Sequence, residues 1–361
     1  MKSLFKKILD LHWFNRKRLI TGIQCTDTAI RFASFHMSKK SVELHAYGEH
    51  MLSGDIIKDG ALIKPQALTQ ALMTLRKKYK LKDIHLVLPE EQSFIFHTSM
   101  PYSDGDNFET AIKDHIDAYL ELHDKEFEGS FTCEGDILGI HDGSYELQIT
   151  VTPDSVLSSY KHACQAAGFS IQSMEVGAHM VSRACLANAH EESCLLVDFG
   201  EEKTHISLVS EEHIMEHETH HLGSKHLIPE IQDFLNVTQA DAERIHRDYG
   251  LSRNHREPAL LARLAERIAP LRKALDRMYV AWHTRDYKTK KQQHPITKIV
   301  LVGEGAHLKG FAEHIAVTTR IPVEHAHVWH ATDAHNYIPE IPQHESHRYA
   351  HVISAALKGV G

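Results

Sequence analysis

The 361-residue chain is 42% hydrophobic and 24% charged, with a formal net charge of −8. This is the composition of a globular protein long enough for two or more cored domains, and its acidic balance excludes a general nucleic-acid binder, which needs a concentrated basic face. No apolar run approaches the ~20 residues of a membrane-spanning helix, and charges interrupt the N-terminal apolar positions, which excludes a secretory signal. Cys25, Cys133, Cys164, Cys185 and Cys194 show no paired spacing, the pattern of reduced thiols in a cytosol. Protonating all 31 histidines would carry the net charge from −8 to +23, so solubility should depend strongly on pH near 6.5. CxxC does not occur. The groups His220-His221 and His325, His327, His330 lack a complete ligand set, so surface enrichment is the better reading.

Residues 1–18 interleave Lys2, Lys6, Lys7, Arg16, Lys17 and Arg18 with Leu4, Phe5, Ile8, Leu11 and Trp13. Leu4, Ile8 and Leu11 share a helical face, so the stretch reads either as a short amphipathic arm for an anionic surface or as a solvated terminus. Strands follow at Leu19–Ile23 and Thr28–Phe35 around the turn Gln24-Cys25-Thr26-Asp27, with a third at Val42–Gly48. After Asp59-Gly60 the spacing predicts a helix over Pro65–Tyr79 that buries Leu68, Leu72 and Leu75. Ile84–Leu88 and Phe94–Thr98 read as strands, and about Asp106–Leu122 as a charged helix. Glu128–Val151, weakly alternating with glycine turns, reads as a small sheet, so residues 102–148 are expected to be an inserted subdomain. Asp154 should cap a helix closed by Gly168.

The strand–turn–strand–strand opening recurs at 194–218, which suggests an internal duplication, near 19–190 and 193–361. Helices are expected at Leu222–Leu235 and Gln239–Asp248. A long one opens at Pro258, with Leu264, Ile268, Leu271, Leu275, Met278 and Trp282 on one face, and Pro270 should kink or split it. Lys288–Lys291 reads as a basic solvated loop. Ile296–Val302 is a buried strand, followed by Gly303-Glu304-Gly305-Ala306, a helix to about Val317 and a strand at Pro322–His327. The His- and Pro-rich residues 331–347 read as a loop, and Tyr349–Leu357 as a closing helix.

The chemistry concentrates at CLLVDFGEEKTHISLVS, 194–210: a buried strand, a tight turn and a return strand. Gly200 lets backbone approach a ligand closely, turn amides suit phosphate oxygens, and Asp198 is placed to hold Mg²⁺ through water. The same pattern also fits an ordinary hairpin with a surface Asp.

Taken in order, these pieces resemble the actin/Hsp70-like ATPase fold, and more narrowly the PilM family of type IV pilus assembly, relatives of FtsA. The resemblance runs from about Leu19 to Gly359. It is carried by ITGIQCTDTAIRFASF, GDIIKDGALIKPQAL, the strand pair leading to SMP, ITVTPDSVLSSYKHACQAAGF, LLVDFGEEKTHISLV, DAERIHRDYGL, IVLVGEGAHLKGF and RYAHVISAALKG. It implies two lobes of duplicated five-stranded sheets flanked by helices: a first lobe of 19–101 plus 149–190, a small inserted α+β subdomain at 102–148, a second lobe of 191–222 plus 258–361, and a small helical subdomain at 223–257. In such proteins the lobes clasp ATP with Mg. Carried over, Cys25, Thr26, Asp27 and Thr28 form the first phosphate loop and Asp198, Phe199 and Gly200 the second, with Asp198 holding Mg through water. Glu243 would meet the ribose, Gly303 and Gly305 would flank the nucleoside, and Glu175 would stand where relatives place a water-activating carboxylate; a structural Glu is the competing reading there.

Four residues depart from the family pattern. Gln24 replaces an Asp, Thr26 a Gly, His246 a Lys and Glu304 a second Gly. Glu304 beside a polyanion would cost about 4 kcal/mol at ~4 Å and an effective dielectric of ~20 unless it turned away. A weakened nucleotide site with slow hydrolysis at most is therefore expected. The resemblance further implies a cytoplasmic scaffold, peripheral on the inner face of the inner membrane. It would be held there by the N-terminal tail of a bitopic PilN-like protein, in a groove near Ile84–Pro101 and 102–148, and would relay to the pilus motor ATPases, with self-association possible. The alternatives are a nucleotide-switching ATPase and an FtsA-like division or filament protein; the chain's end at Lys358–Gly361 lacks FtsA's C-terminal amphipathic helix.

Overall fold

The structure, a computed structural model, describes residues 18–38, 41–101, 108–122, 129–141, 143–186, 192–253, 257–284, 294–329 and 339–358. Residues 1–17 of the basic arm, the Lys288–Lys291 loop and residues 331–338 of the His/Pro-rich loop lie outside these. The chain divides into two compact units: residues 1–90, 158–187 and 326–361, and residues 91–157 and 188–325.

The first unit is built on β1 (Arg18–Cys25), β2 (Ala29–Met37) and β3 (Val42–Met51), an antiparallel meander. Beside β1 lie β6 (Asp83–Leu88) and β10 (Ser170–Val176), both parallel, giving the order β10-β6-β1-β2-β3. A two-residue ladder of β4 (Ile57–Lys58) and β5 (Ala61–Leu62) precedes helix α1 (Pro65–Tyr79), which has proline in its first turn and buries Leu68, Leu72 and Leu75. Gly22 decides how closely a helix approaches the sheet centre: a Cβ there would lie 2.0 Å from the Val352 carbonyl oxygen and 2.9 Å from Ala355 Cβ, on the closing helix Ala350–Ala356.

The second unit repeats the plan. β11 (Ser193–Phe199), β12 (Thr204–Ser210) and β13 (His213–His220) form a meander, and β14 (Ile296–Val302) and β15 (Val323–His325) add in parallel beside β11. Order and strand direction match the first unit's five strands, as the duplicated opening predicts. This sheet then continues: β13 pairs with β7 (Phe94–Pro101) at Glu216 opposite Phe96, then come β9 (Ser144–Pro153) and the edge strand β8 (Phe131–His141). Helix α2 (Phe108–Leu122) lays Ile112, Ile116, Tyr119 and Leu120 on Phe96, Leu147, Ile149 and Val151. The Phe96 and Tyr119 rings stack at 4.1 Å. Helix α3 (Asp154–Ala166) follows β9, and its Asp154 carboxylate accepts from the Thr132 hydroxyl of β8 at 2.6 Å, tying helix start to sheet edge.

Pro270 splits the predicted long helix into α7 (Pro258–Arg267) and α8 (Ala269–Thr284), because proline lacks the amide needed to continue the ladder. The apolar face survives the break. Leu264, Ile268, Leu271, Leu275, Met278 and Trp282 are all buried against Leu195, Val197, Ile206 and Leu208. All five cysteines are free thiols, four buried and Cys133 exposed. Among the described residues no helix is long and apolar enough to cross a membrane.

Candidate functional site

In the second unit the structure brings five of the expected residues together. Strands β11 and β14 run parallel with Asp198 opposite Val302, so the turn after each strand lies beside the other. Gly303 has φ of +92°, and a Cβ there would sit 2.1 Å from Asp198 Oδ1 and 2.8 Å from the Phe199 carbonyl. Gly305 is pressed against the Phe199 ring and carbonyl and against Ser224 Cβ, at 2.8, 2.9 and 3.0 Å from its missing Cβ. The two glycines are thus required by the packing of Asp198-Phe199-Gly200 itself. Phe199 in turn stacks on Phe311 at 4.0 Å, both fully buried, which fixes the turn to the core.

The Gly200 amide donates to the Lys203 carbonyl at 2.9 Å, and the Gly200 carbonyl accepts from the Ser224 amide at 3.0 Å. Glu201 forms a 2.6 Å ion pair with Lys225. After helix α5 (Leu227–Leu235), helix α6 (Gln239–Tyr249), capped by the Thr238 hydroxyl, carries Glu243 on its exposed face, where Gln239 Nε2 donates to it at 2.9 Å. His246, one turn on, faces inward: burial pulls its pKa below the ordinary value, against opposing effects of the Ser224 backbone and Glu201. Glu304 opens a short 3₁₀ turn, Glu304–His307, and its side chain is half-buried.

The first-unit turn is built differently. The Thr26 amide donates to the Ala29 carbonyl at 2.8 Å, and the Thr26 hydroxyl both accepts from the Ala29 amide and reaches the Ala29 carbonyl, at 3.1 Å each. Asp27 accepts from the Asp59 amide at 3.0 Å and the Gly60 amide at 3.1 Å, pinning the tight turn between β4 and β5, where both residues have positive φ. Cys25 is buried, and that burial raises its thiol pKa well above the usual value. A phosphate loop presents amides and small residues to its ligand. Here the Thr26 amide and hydroxyl and the Asp27 carboxylate are committed to closing the turn and clasping its neighbour.

Glu175 lies on β10. Burial would raise its pKa, but the Lys358 ammonium at 2.6 Å and the Arg183 guanidinium at 2.8 Å donate to its two oxygens and hold it below the usual carboxylate range. Arg183 belongs to helix α4 (Gly177–Cys185) and Lys358 follows the closing helix, so one carboxylate joins three segments of the first unit.

Sequence reasoning missed the residues that complete these turns. The Asp59-Gly60 dipeptide carries a turn signal, but nothing local marks it as the partner of Asp27, 32 residues earlier. Ser224, which closes on Gly200, likewise has no motif. The buried pair of His351 Nε2 and Glu90 Oε1, 3.0 Å apart in the first unit, spans 261 residues and is invisible to any periodicity.

The chain is similar to a solved "PilM-PilN type IV pilus biogenesis complex", with a TM-score of 0.73 and 17% identity over 95% of this chain and 98% of that one. It is similar to the ethanolamine utilization protein EutJ from Carboxydothermus hydrogenoformans (TM-score 0.55, 14% identity, 99% of each chain). A third likeness is to MreB5 of Spiroplasma citri bound to ADP (TM-score 0.51, 11% identity, 86% of this chain and 92% of that one). These likenesses establish the actin/Hsp70-like fold. No match is found among curated protein sequences. The family described as type IV pilus assembly protein PilM matches residues 22–359, nearly the whole sequence. The chain therefore belongs to the PilM family of type IV pilus assembly proteins.

Proposed function

We propose that this protein is a scaffold on the cytoplasmic side of the type IV pilus machinery that captures the extended N-terminal tail of a bitopic PilN-like membrane protein. It would thereby sit on the inner face of the inner membrane and relay to the pilus motor ATPases. The observation that carries this reading is the edge of the second unit's sheet. Strand β8 is a long edge strand, exposed over most of its length, with Ile137 54% and Ile140 56% exposed beside a register shift between Ile137 and Gly139. An open edge offers a row of backbone donors and acceptors, and alternate side-chain contacts then give selectivity, which is how extended peptides are held by strand addition. Glu134 and Asp136 on the strand favour a tail with basic residues.

The nucleotide site is weakened in this reading. Asp198, Gly200, Gly303 and Gly305 would receive Mg and the nucleoside, with Glu243 toward the ribose. The first hairpin, Cys25–Thr28, would contribute little, because Thr26 and Asp27 already have partners within the fold. Glu175 would have to release Lys358 or Arg183 before it could accept a proton from water, so hydrolysis would be slow.

Fluorescence anisotropy with a labelled peptide of the partner's cytoplasmic tail tests the scaffold role. Saturable binding, weakened at least tenfold by Ile137→Asp with Ile140→Asp, supports it. Binding unaffected by those changes, or none at all, would refute the assignment to β8. Isothermal titration with Mg·ATP tests the second part, since submicromolar affinity with measurable turnover contradicts a weakened site.

A further inference from the structure

Strands β12 and β13 place two imidazoles on one face of the second unit's sheet. His205 is paired with Thr219 and Ser207 with His217, so the two rings lie on a diagonal of the antiparallel ladder. They are nearly parallel, 11° apart with centroids 5.9 Å apart, and one ligand nitrogen of each lies within 4.8 Å of the other. Both residues are half-buried. The two Nδ1 atoms are held alike: His205 Nδ1 is 3.0 Å from the Thr219 hydroxyl and His217 Nδ1 is 2.9 Å from the Ser207 hydroxyl. Each histidine is therefore oriented by the hydroxyl directly across the ladder from it.

That arrangement has a chemical consequence. A hydroxyl oxygen can accept from Nδ1–H, which leaves the proton on Nδ1 and the lone pair on Nε2. Metal-binding histidines are commonly set this way, the outer partner fixing tautomer and ring direction. Tetrahedral zinc with bonds of about 2.0–2.1 Å needs its ligand nitrogens ~3.3 Å apart, a closure that small rotations of the two rings can supply. We infer that His205 and His217 form a two-histidine site for a late first-row divalent ion, zinc being the physiological choice among those that favour imidazole. Two protein ligands fall short of the three or four that hold zinc permanently, so the ion is bound reversibly. It cross-links β12 to β13, stiffening the hairpin whose other end carries the Asp198–Lys203 turn. The inference is independent of the pilus role and of the nucleotide site.

The test is a Zn²⁺ titration of the full, untagged chain against a chromophoric chelator, with crystals grown at one equivalent of zinc and measured at the zinc edge. The expected results are one equivalent bound more tightly than the rest, and an anomalous peak between His205 Nε2 and His217 Nε2. The double change His205→Gln with His217→Gln should weaken that equivalent at least tenfold, and so should His217→Gln alone if the double variant fails to fold. Ser207→Ala should weaken it by about 10–100-fold while both ligands remain in place. Zinc bound only elsewhere, for instance at the stacked pair His307 and His325, or a tight equivalent indifferent to all three variants, would overturn the assignment.

Discussion

The turn after β1 and the turn after β11 occupy equivalent places in two sheets of the same order and direction, and an amide-to-carbonyl bond closes each, yet different neighbours are packed on them. After β11, Asp198 lies against Gly303, and Gly305 packs on Phe199 and Ser224. After β1, Thr26 closes on Ala29 and Asp27 reaches across to the amides of Asp59 and Gly60. A duplicated fold needs only the buried strands to be kept alike. The turns, which contribute little to either core, are free to diverge in chemistry. One turn is built on glycines packed against it, and the other is a clasp within its own unit.

The hardest test of this comparison is at the glycines each half depends on. Gly303→Val places a branched side chain against Asp198 and the Phe199 carbonyl at a positive φ, and should cost about 3 kcal/mol or more. Gly22→Val, which drives a Cβ into the Val352 carbonyl, should cost as much, and urea unfolding of both variants measures it. Next comes Asp27→Ala, which strips the acceptor from two backbone amides and should destabilise the chain by about 1–3 kcal/mol in the same assay. No loss would mean that the clasp is incidental.

The third test converts one hairpin toward the other. Gln24→Asp with Thr26→Gly should tighten Mg·ATP binding at least tenfold, about 1.4 kcal/mol, by isothermal titration. Unchanged affinity would place the limitation beyond the first turn. The smallest effect is expected at Glu175, whose partner Arg183 is half-exposed. Its folded pKa is depressed, so its contribution is present above the ordinary carboxylate pKa of about 4.3 and is lost as pH falls through the folded value. Glu175→Gln should therefore lower stability by about 1 kcal/mol or less at pH 7. The gap should close on acidification, as thermal unfolding at stepped pH would show.

Local pattern alone determined the elements. The apolar spacing along Pro65–Tyr79 and Ile296–Val302 and the proline at 270 each act over a few residues, so the helix, the strand and the break fall where the sequence places them. The repeated hairpin opening foretold two like sheets for the same reason, since a strand that must be buried on both faces has little freedom in composition. Of the site, the clustering of Asp198, Phe199 and Gly200 with Gly303 and Gly305 was legible because parallel strands set their C-terminal turns side by side. What only the tertiary structure decided is where each polar group finds its partner: Asp27 on Asp59 and Gly60, Glu175 between Arg183 and Lys358, and His205 beside His217. A buried or half-buried polar atom must find its hydrogen bonds wherever folding brings a complementary group, and those groups lie from 8 to 183 residues away along the chain.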